Sequence, residues 1–430
     1  MLLEFSCANF LSIAERQTFS MVPTKGSANV HDVGNRFAPH ALKAAAIYGP
    51  NGSGKSNFIA AMEFVQTLVK ESGRYGSEDR IDVTPFALDE ELAESPSEFE
   101  IIFSRHGDIW RYGFVVDPER VHSEWLFRRS SETSRERELF YRSPKATRIG
   151  KSLRAFAQIL NNYTIKSQLF LSKLNQFDDG VTNDAFFWIV IGLRPITSIS
   201  DFPKSITVEK ICEPYRATDR ASVFAILRAV GVSFEDVKVR EFEAPDEYED
   251  LAPFVQSQGI LFGGAKDGSR KLYDVSFVRK SRHGAVTTIP YKDESLGTHT
   301  LFGVAGMLVD SLKVGFTLVI DELNQTFHPA TLRTIVELFY SDEANPRNGQ
   351  LIFTTHDVSV MSILERDQIW LVEKDDDGAS AVFSLADFDS PRRTGAFAKQ
   401  YLENRYGGLP KTDLVSAISA LARSSQDFGE

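Results

Sequence analysis

Apolar and polar residues alternate at the start of the chain, with Leu3, Phe5 and Cys7 facing one way and Glu4 and Ser6 the other, and a similar pattern returns at Gln17 to Met21. A period of two marks strands with one covered face, so the chain opens on a half-exposed sheet. Phe99 to Phe103 and Ile109 to Val116 flank the turn residues Arg105, His106, Gly107 and Asp108, which predicts a hairpin continuing that sheet. Three runs instead are mainly apolar with no alternation: Ala44 to Tyr48, Phe316 to Ile320 and Leu351 to Thr355. Such runs read as strands buried on both faces. Helical periodicity follows the first of them at Asn57 to Lys70, precedes the second at Thr300 to Leu312, and recurs from Lys151 to about Trp188 and at Ala221 to Val230. In the stretch after Lys151, Leu153, Phe156, Ile159 and Leu160 share one face. Glu71 to Ser97 and the acidic stretch Glu241 to Asp250 around Pro245 read as loops, and Ile260 to Ile289 as strands. Buried strands alternating with helices make the chain an α/β protein. No heptad pattern persists, so a long coiled-coil arm is not expected.

Composition adds little except by exclusion. The chain has 430 residues, 42% hydrophobic and 25% charged, an ordinary globular balance with room for one large or two ordinary domains. No apolar run approaches the roughly 20 residues that span a bilayer, and Met1 to Phe10 lacks a basic region before an apolar one, so a cytoplasmic location is expected. Cys7 and Cys212 are the only cysteines and form no metal or disulfide pattern; both are expected as buried thiols. The net charge of -11 argues against a surface that binds nucleic acid everywhere. One basic run stands out, Arg128, Arg129, Arg135, Arg137, Arg142, Lys145, Arg148, Lys151 and Arg154 against Glu132, Glu136 and Glu138, and it is the candidate contact for nucleic acid or an acidic partner.

Candidate chemistry begins at Gly49 to Ser56, GPNGSGKS, which fits G-x-x-x-x-G-K-[ST] between a buried strand and a helix. Glycines let backbone N–H groups turn inward around a triphosphate, and the helix presents the positive end of its dipole to the same charge. Asn51, Gly52, Ser53, Gly54, Lys55, Ser56 and Asn57 are therefore the expected nucleotide contacts, with Lys55 on the β and γ phosphates and Ser56 on Mg2+. A second cluster follows the strand at Phe316 to Ile320, where Asp321 suits the Mg2+ shell and Glu322 suits orienting or deprotonating the attacking water. Ser295 can cap the helix that follows it, and the backbone of Gly297 can approach an anion. His356, at the end of the third buried strand, can bond a γ-phosphate or a transition-state water. ATP is expected over GTP because the chain holds no [NT]-K-x-D string.

The order of phosphate loop, serine and glycine signature, strand with Asp then Glu, and strand with histidine resembles the heads of ABC-type ATPases. That resemblance implies an α/β P-loop NTPase of ABC-ATPase head type with an antiparallel side sheet and a helical insertion. It divides the chain into an N-terminal lobe at 1–150, an insertion at 151–290 and a C-terminal lobe at 291–430. It also implies that Ser295 and Gly297 of one copy face a nucleotide held by Lys55 of another, so that two heads close over ATP and Mg2+ into a homodimer or higher oligomer. Leu296 and Thr298 replace the commoner signature residues, which fits chromosome-maintenance and RecF-like ATPases better than transporter subunits. Gln66 lies within a helix and does not match the lid-loop glutamine of that family.

Longer strings, MLLEFSCANFLSIAERQTFSM, DESLGTHTLFG, LVIDELNQTFHP, QLIFTTHD, RDQIWLVEK and YLENRYGGLP, resemble the bacterial ABC-type ATPases of phage-defence operons. These are the RloA and AbiLi group, with Septu, OLD and PARIS ATPases as relatives. They cover both ends of the chain and not residues 151–290. The resemblance implies a slow ATP hydrolase that senses infection or regulates a nuclease or toxin partner encoded beside it, RloB-like in kind. Two other readings remain at this level. A RecF-like DNA-repair ATPase would use the basic run, and a structural scaffold would bind ATP without turning it over.

Overall fold

A computed structural model describes residues 1–38, 40–131, 133, 135–153, 156–177, 180–198, 204–212, 218–244, 259–264, 270–325, 327–388, 396–410 and 418. The chain opens with β1 (Leu2–Ala8) and β2 (Gln17–Ser20), a short ribbon of β3 (Val30–Asp32) and β4 (His40–Leu42), then β5 (Ala44–Tyr48) and α1 (Lys55–Glu71). After the short α2 (Glu90–Ala93) come β6 (Ser97–Arg105), β7 (Asp108–Val116), β8 (Val121–Arg129), β9 (Arg137–Arg142) and β10 (Thr147–Ile149). Three small helices, α3 (Phe156–Asn162), α4 (Phe170–Asn175) and α5 (Asn183–Phe187), lead to β11 (Leu193–Ile196), and α6 (Lys204–Cys212) and α7 (Asp219–Ala229) follow. Next are β12 (Asp236–Glu243), β13 (Ile260–Gly264), β14 (Arg270–Lys280) and β15 (Val286–Pro290). The C-terminal part runs through α8 (Leu296–Val314), β16 (Thr317–Ile320), α9 (Pro329–Tyr340), β17 (Gln350–Thr354), β18 (Ile369–Lys374), β19 (Ser380–Ser384) and α10 (Phe397–Leu402).

Six strands form the sheet that matters most, in the order β11-β16-β17-β5-β18-β19, parallel except for the final antiparallel strand β19. Successive side chains of these strands point to opposite faces, and both faces are covered. Ala45, Ile47, Val319, Ile352, Trp370 and Val372 join the core shared with α1 and the antiparallel strands. Ala44, Ala46, Tyr48, Leu318, Ile320, Leu351, Phe353, Ile369 and Leu371 join the core beneath α8 and α9. Two-sided burial is why these runs lack polar alternation. The helix α1 covers its face of the sheet through Phe58, Met62, Val65 and Val69, spaced four, three and four residues apart. Burial of each such side chain contributes about 1.5–3 kcal/mol.

The antiparallel sheet runs β10-β9-β8-β7-β6-β1-β2, and the expected hairpin is its β6 and β7, with His106 and Gly107 at positive φ in the turn. Its first strand is not half-exposed as the alternation predicts. Leu2, Leu3, Phe5, Ser6 and Cys7 are all buried, because β1 is an inner strand and Leu3 packs under Val33 and Ala41 of the β3–β4 ribbon. Burial also pushes the Cys7 thiol far above its usual range, whereas Cys212 is only half-buried. Ile159, expected on the covered face of its helix, is 62% exposed, while Leu153 and Leu160 are buried.

Residues 151–290 do not form one body apart from the head. Leu193 to Ile196 pair in parallel with Thr317 to Ile320 as the edge strand of the six-stranded sheet, and α4 and α5 share a core with α1. The short run at β11 lies just beyond the stretch to about Trp188 that reads as helical, and the sequence pattern marks no strand there. Downstream, β12, β14 and β13 form a separate sheet with β15 paired to β14, and Glu241 to Glu243, expected in a loop, belong to β12. Pro245 to Asp250 of that expected loop lie outside the described residues.

One buried titratable group ties the ribbon to this framework. His31 Nε2 donates to the carbonyl of Gly349, 3.0 Å away, next to Asn345. Burial, aided by Lys43, lowers its pKa to about 4. An unfolded histidine takes its proton near pH 6.5, so the neutral ring stabilises the fold above that value. This contribution declines as the pH falls from about 6.5 toward about 4. Thermal unfolding across this window is expected to show a steeper acid loss for the wild type than for His31→Gln; equal slopes would contradict it.

Candidate nucleotide site

Because β5, β16, β17 and β18 are parallel, their following loops emerge at one edge of the sheet, the usual place for a ligand in such folds. The loop after β5 wraps from Gly49 to Gly54 into α1, whose first residue is Lys55. Gly54 has φ 105, and a Cβ there would run into the hydroxyls of Ser380 and Ser12. Only glycine meets both demands. Behind the loop runs a directed chain of hydrogen bonds. Asn57 Nδ2 donates to Ser12 Oγ at 2.8 Å, Ser12 Oγ lies 2.7 Å from Ser380 Oγ, and Ser380 Oγ donates to the Ser53 carbonyl at 2.6 Å. The Ser380 amide also donates to the Ser12 carbonyl at 2.7 Å. Each donor in this relay polarises the next, and the relay fixes the phosphate loop to the β1–β2 connection and to β19. Asn57, expected on the nucleotide, thus commits its amide to supporting the loop.

Lys55 is buried, and its ammonium donates to the carbonyls of Gly49 at 2.8 Å and Pro50 at 2.9 Å. Burial lowers its pKa, while the negative charges of Asp321 and Glu322 oppose that shift. The loop is therefore curled around its own lysine. Ser53 Oγ is buried with no hydrogen-bond partner among the described residues, whereas Asn51, Gly52 and Ser56 are exposed. An unpartnered hydroxyl, an exposed glycine turn and a caged ammonium suit a triphosphate, whose oxygens accept from all three kinds of donor.

Asp321 and Glu322 follow β16 directly. Asp321 is buried, and Thr354 of β17 donates its hydroxyl to Asp321 Oδ1. That hydroxyl also accepts from the Glu322 amide at 2.7 Å. Glu322 sits at φ 50, a left-handed backbone rarely used by residues other than glycine and concentrated at functional sites. Its carboxylate accepts from the Gln325 side chain. His356, exposed just after β17, feels both acids and Lys55: burial and the lysine charge hold its pKa below the ordinary value, partly offset by Glu322 and Asp321. Lys55, Asp321, Glu322 and His356 thus come together from three strand ends. Among the described residues no cluster of three or more His, Cys, Asp or Glu could hold a metal by itself. Asp321 and Ser56 suit Mg2+, which ordinarily takes one or two protein ligands and completes its shell with phosphate oxygens and water.

Several supports were invisible in the motifs. Thr354 and Gln325 act on the acids, and Ser12 and Ser380 act on the loop. A cleft of about 960 Å³ opens over Gly49 to Ser53, walled by His356, Val358, Glu373, Tyr401 and Leu409. Its C-terminal wall is held by the Tyr401 hydroxyl, which donates to the Gly408 carbonyl at 2.6 Å, and by Glu373, which accepts from the Gly408 amide. YLENRYGGLP is thereby a wall of this cleft.

Ser295 caps α8, accepting from the Thr298 amide at 3.2 Å, and the turn is exposed, with Leu296 at 70% exposure. Among the described residues, the Ser295 hydroxyl bonds only Thr298 in the first turn of its own helix. The basic run is paired with acids at three of its described residues. Arg128 Nε donates to Asp108 at 2.6 Å, Arg148 pairs with Glu138 at 2.8 Å, and Arg142 lies 3.8 Å from buried Glu124. Arg135, Arg137, Lys145 and Lys151 are exposed, and Arg154 and Glu132 lie outside the described residues. No helix among the described residues is long and apolar enough to cross a membrane.

The Gly54 geometry gives a direct test. Gly54→Ala is expected to abolish binding of a fluorescent ATP analogue and to lower stability by about 1–3 kcal/mol, the usual cost of a side chain in such a backbone. Ser380→Ala removes the relay without a clash and should weaken binding by a smaller factor. Undiminished binding by Gly54→Ala would refute this account of the loop.

Among solved structures, similarity extends to the SMC head bound to the C-winged helix domain of ScpA, at 16% identity and TM-score 0.43, covering 89% of this chain and 97% of that chain. It extends also to the SMC head domain from Thermotoga maritima, at 13% identity and TM-score 0.39, covering 89% and 98%. A third is the Smc head with an extended coiled coil bound to the C-terminal domain of ScpA derived from Pyrococcus furiosus, at 15% identity and TM-score 0.35, covering 94% and 99%. No curated protein matches the chain. The family model described as "AAA domain, putative AbiEii toxin, Type IV TA system" matches residues 44–175 and 203–362, a span that holds the phosphate loop, the Ser295 turn, both acids and His356. With more than half of its length so matched, and with a glycine loop curled around Lys55 at the end of a buried parallel strand, the chain belongs to this AAA-domain family of P-loop NTPases.

Proposed function

We propose that the protein is an Mg-ATP-dependent ABC-type ATPase in which two copies close over composite sites, and that closure regulates a partner nuclease or toxin in antiphage defence. The observation that carries this reading is the division of the chemistry. Lys55, Asp321, Glu322 and His356 converge, while the Ser295 turn stands exposed with its hydroxyl bonded, among the described residues, only to Thr298 of its own helix. A helix N-terminus presented to solvent beside an exposed leucine suits a phosphate and a surface supplied by a second copy. The family description, with its AbiEii toxin and Type IV TA system, supports a role beside a toxin. An RloA-like pairing with an RloB-like effector is the finer form of that role.

In this reading the Lys55 ammonium exchanges the carbonyls of Gly49 and Pro50 for β and γ phosphate oxygens. Mg2+, held by Ser56 and Asp321, would offset the charge of those phosphates. Glu322 receives the proton of the attacking water as the water oxygen bonds the γ phosphorus. The bond from that phosphorus to the bridging oxygen breaks, and the electron pair leaves on ADP. Gln325 holds one oxygen of the Glu322 carboxylate, which orients the base and leaves its other oxygen to take the proton; turnover is expected to be slow. His356, kept neutral by burial and by Lys55, can donate one ring N–H toward the γ-phosphate without adding a full charge. The ion pairs of Arg128, Arg142 and Arg148 weigh against a DNA-repair role through the basic run.

Light scattering with and without Mg-ATP, followed by phosphate release, tests the reading. Glu322→Gln should form a larger assembly only with ATP and release no phosphate, and Lys55→Ala should neither assemble with ATP nor release phosphate. Identical assembly in both conditions for all variants would reject nucleotide-driven closure and favour a scaffold that binds ATP without using it.

A further inference from the structure

Glu294 immediately precedes the Ser295 cap, and its carboxylate is only 6% exposed. Arg279, near the end of β14, reaches it with Nη2 2.8 Å from Oε2. The pairing is made at one point: Glu294 Oε1 and Arg279 Nε are both buried with no hydrogen-bond partner among the described residues. A second set of contacts joins the same two elements. Tyr291 stacks on His299 at 4.1 Å and meets Phe302 of α8 at 5.6 Å; Phe302 meets Phe277 of β14 at 5.8 Å, and Phe277 meets Phe234 at 5.9 Å. The turn that begins α8 is therefore carried by the β12–β15 sheet.

The charge placement matters because a helix N-terminus that holds a phosphate cannot easily tolerate a bare carboxylate beside it. A negative side chain there satisfies the helix dipole by itself, and at contact range it repels an incoming anion in a partly buried setting. We infer that Arg279 is a positioning residue for the Ser295–Gly297 turn: by pairing with Glu294 it cancels that carboxylate's charge and orients the turn, which makes the β12–β15 sheet a control element of ATP-driven closure. This rests on the composite-site reading above. Anything that draws Arg279 away from Glu294, including a partner bound to this sheet, weakens the affinity of the turn for phosphate.

The test uses full-length protein carrying Glu322→Gln, and measures the ATP concentration that gives half-maximal dimer by light scattering. Adding Arg279→Gln should raise that concentration roughly thirtyfold or more, the lower end of the cost of leaving a buried charge unpaired. Adding Glu294→Gln to the same chain should restore it to within roughly threefold, and Arg279→Lys should lie near the parent. Binding of a fluorescent ATP analogue at the Lys55 loop should be unchanged throughout, which separates turn positioning from a general loss of structure. An unshifted midpoint in Arg279→Gln, or no rescue by Glu294→Gln while analogue binding and melting match the parent, overturns the inference and leaves the composite site standing. Failure of the Glu322→Gln parent to assemble with ATP removes both together.

Discussion

The parallel pairing of β5 with β17 on one side and β18 on the other is the constraint on which the rest of the molecule depends. Residues from positions 49, 321 and 356 are far apart in the chain and meet because these strands end at one sheet edge. β5 begins with three small residues. Ala44, Ala45 and Ala46 have no exposure and let helices approach from both faces. The pairing requires both faces to be apolar, which the two cores supply. The large antiparallel sheet buttresses α1 through one of these cores, and α8, α9 and the β12–β15 sheet fill the other.

At the sheet edge, charge is arranged to meet an incoming anion. A buried ammonium rests on carbonyls, two acids stand near it, and partial burial with the lysine charge holds the pKa of His356 below its ordinary value. Thr354 links the acids by donating to one side chain and accepting from the next residue's amide, which holds Glu322 in a backbone that it would not adopt unaided. The relay from Asn57 to the Ser53 carbonyl does the same for the loop. Hydrogen bonds from outside each motif thus maintain both strained pieces.

Much of this was legible in the sequence. Ala44 to Tyr48 and Leu351 to Thr355 were readable as buried strands because two-sided burial removes the polar alternation, and Gly49 to Ser56 because phosphate binding by backbone demands glycines at fixed spacing. Ser295, Asp321, Glu322 and His356 were legible by their positions at element ends. What stayed hidden depends on pairing across long separations. Ser380 meets Ser12 only once β19 is placed beside β18, and β11 joins the sheet only once β16 is placed beside it. The strands β8 to β10 were masked by their arginines, whose charges look like a solvated run in sequence, while Arg128, Arg142 and Arg148 are matched by acids on neighbouring strands in the fold. Glu294 carried no signal at all, since its partner Arg279 comes from a different element.

The central claim is that one copy's phosphate loop and another copy's Ser295 turn make a single site. A structure of the Glu322→Gln protein with Mg-ATP tests it most directly. The account predicts a two-fold assembly in which the triphosphate bonded by Lys55 of one copy also touches Ser295 and the Gly297 backbone of the other. ATP bound at Lys55 in a lone copy, or in an assembly whose Ser295 turns face solvent, would contradict it.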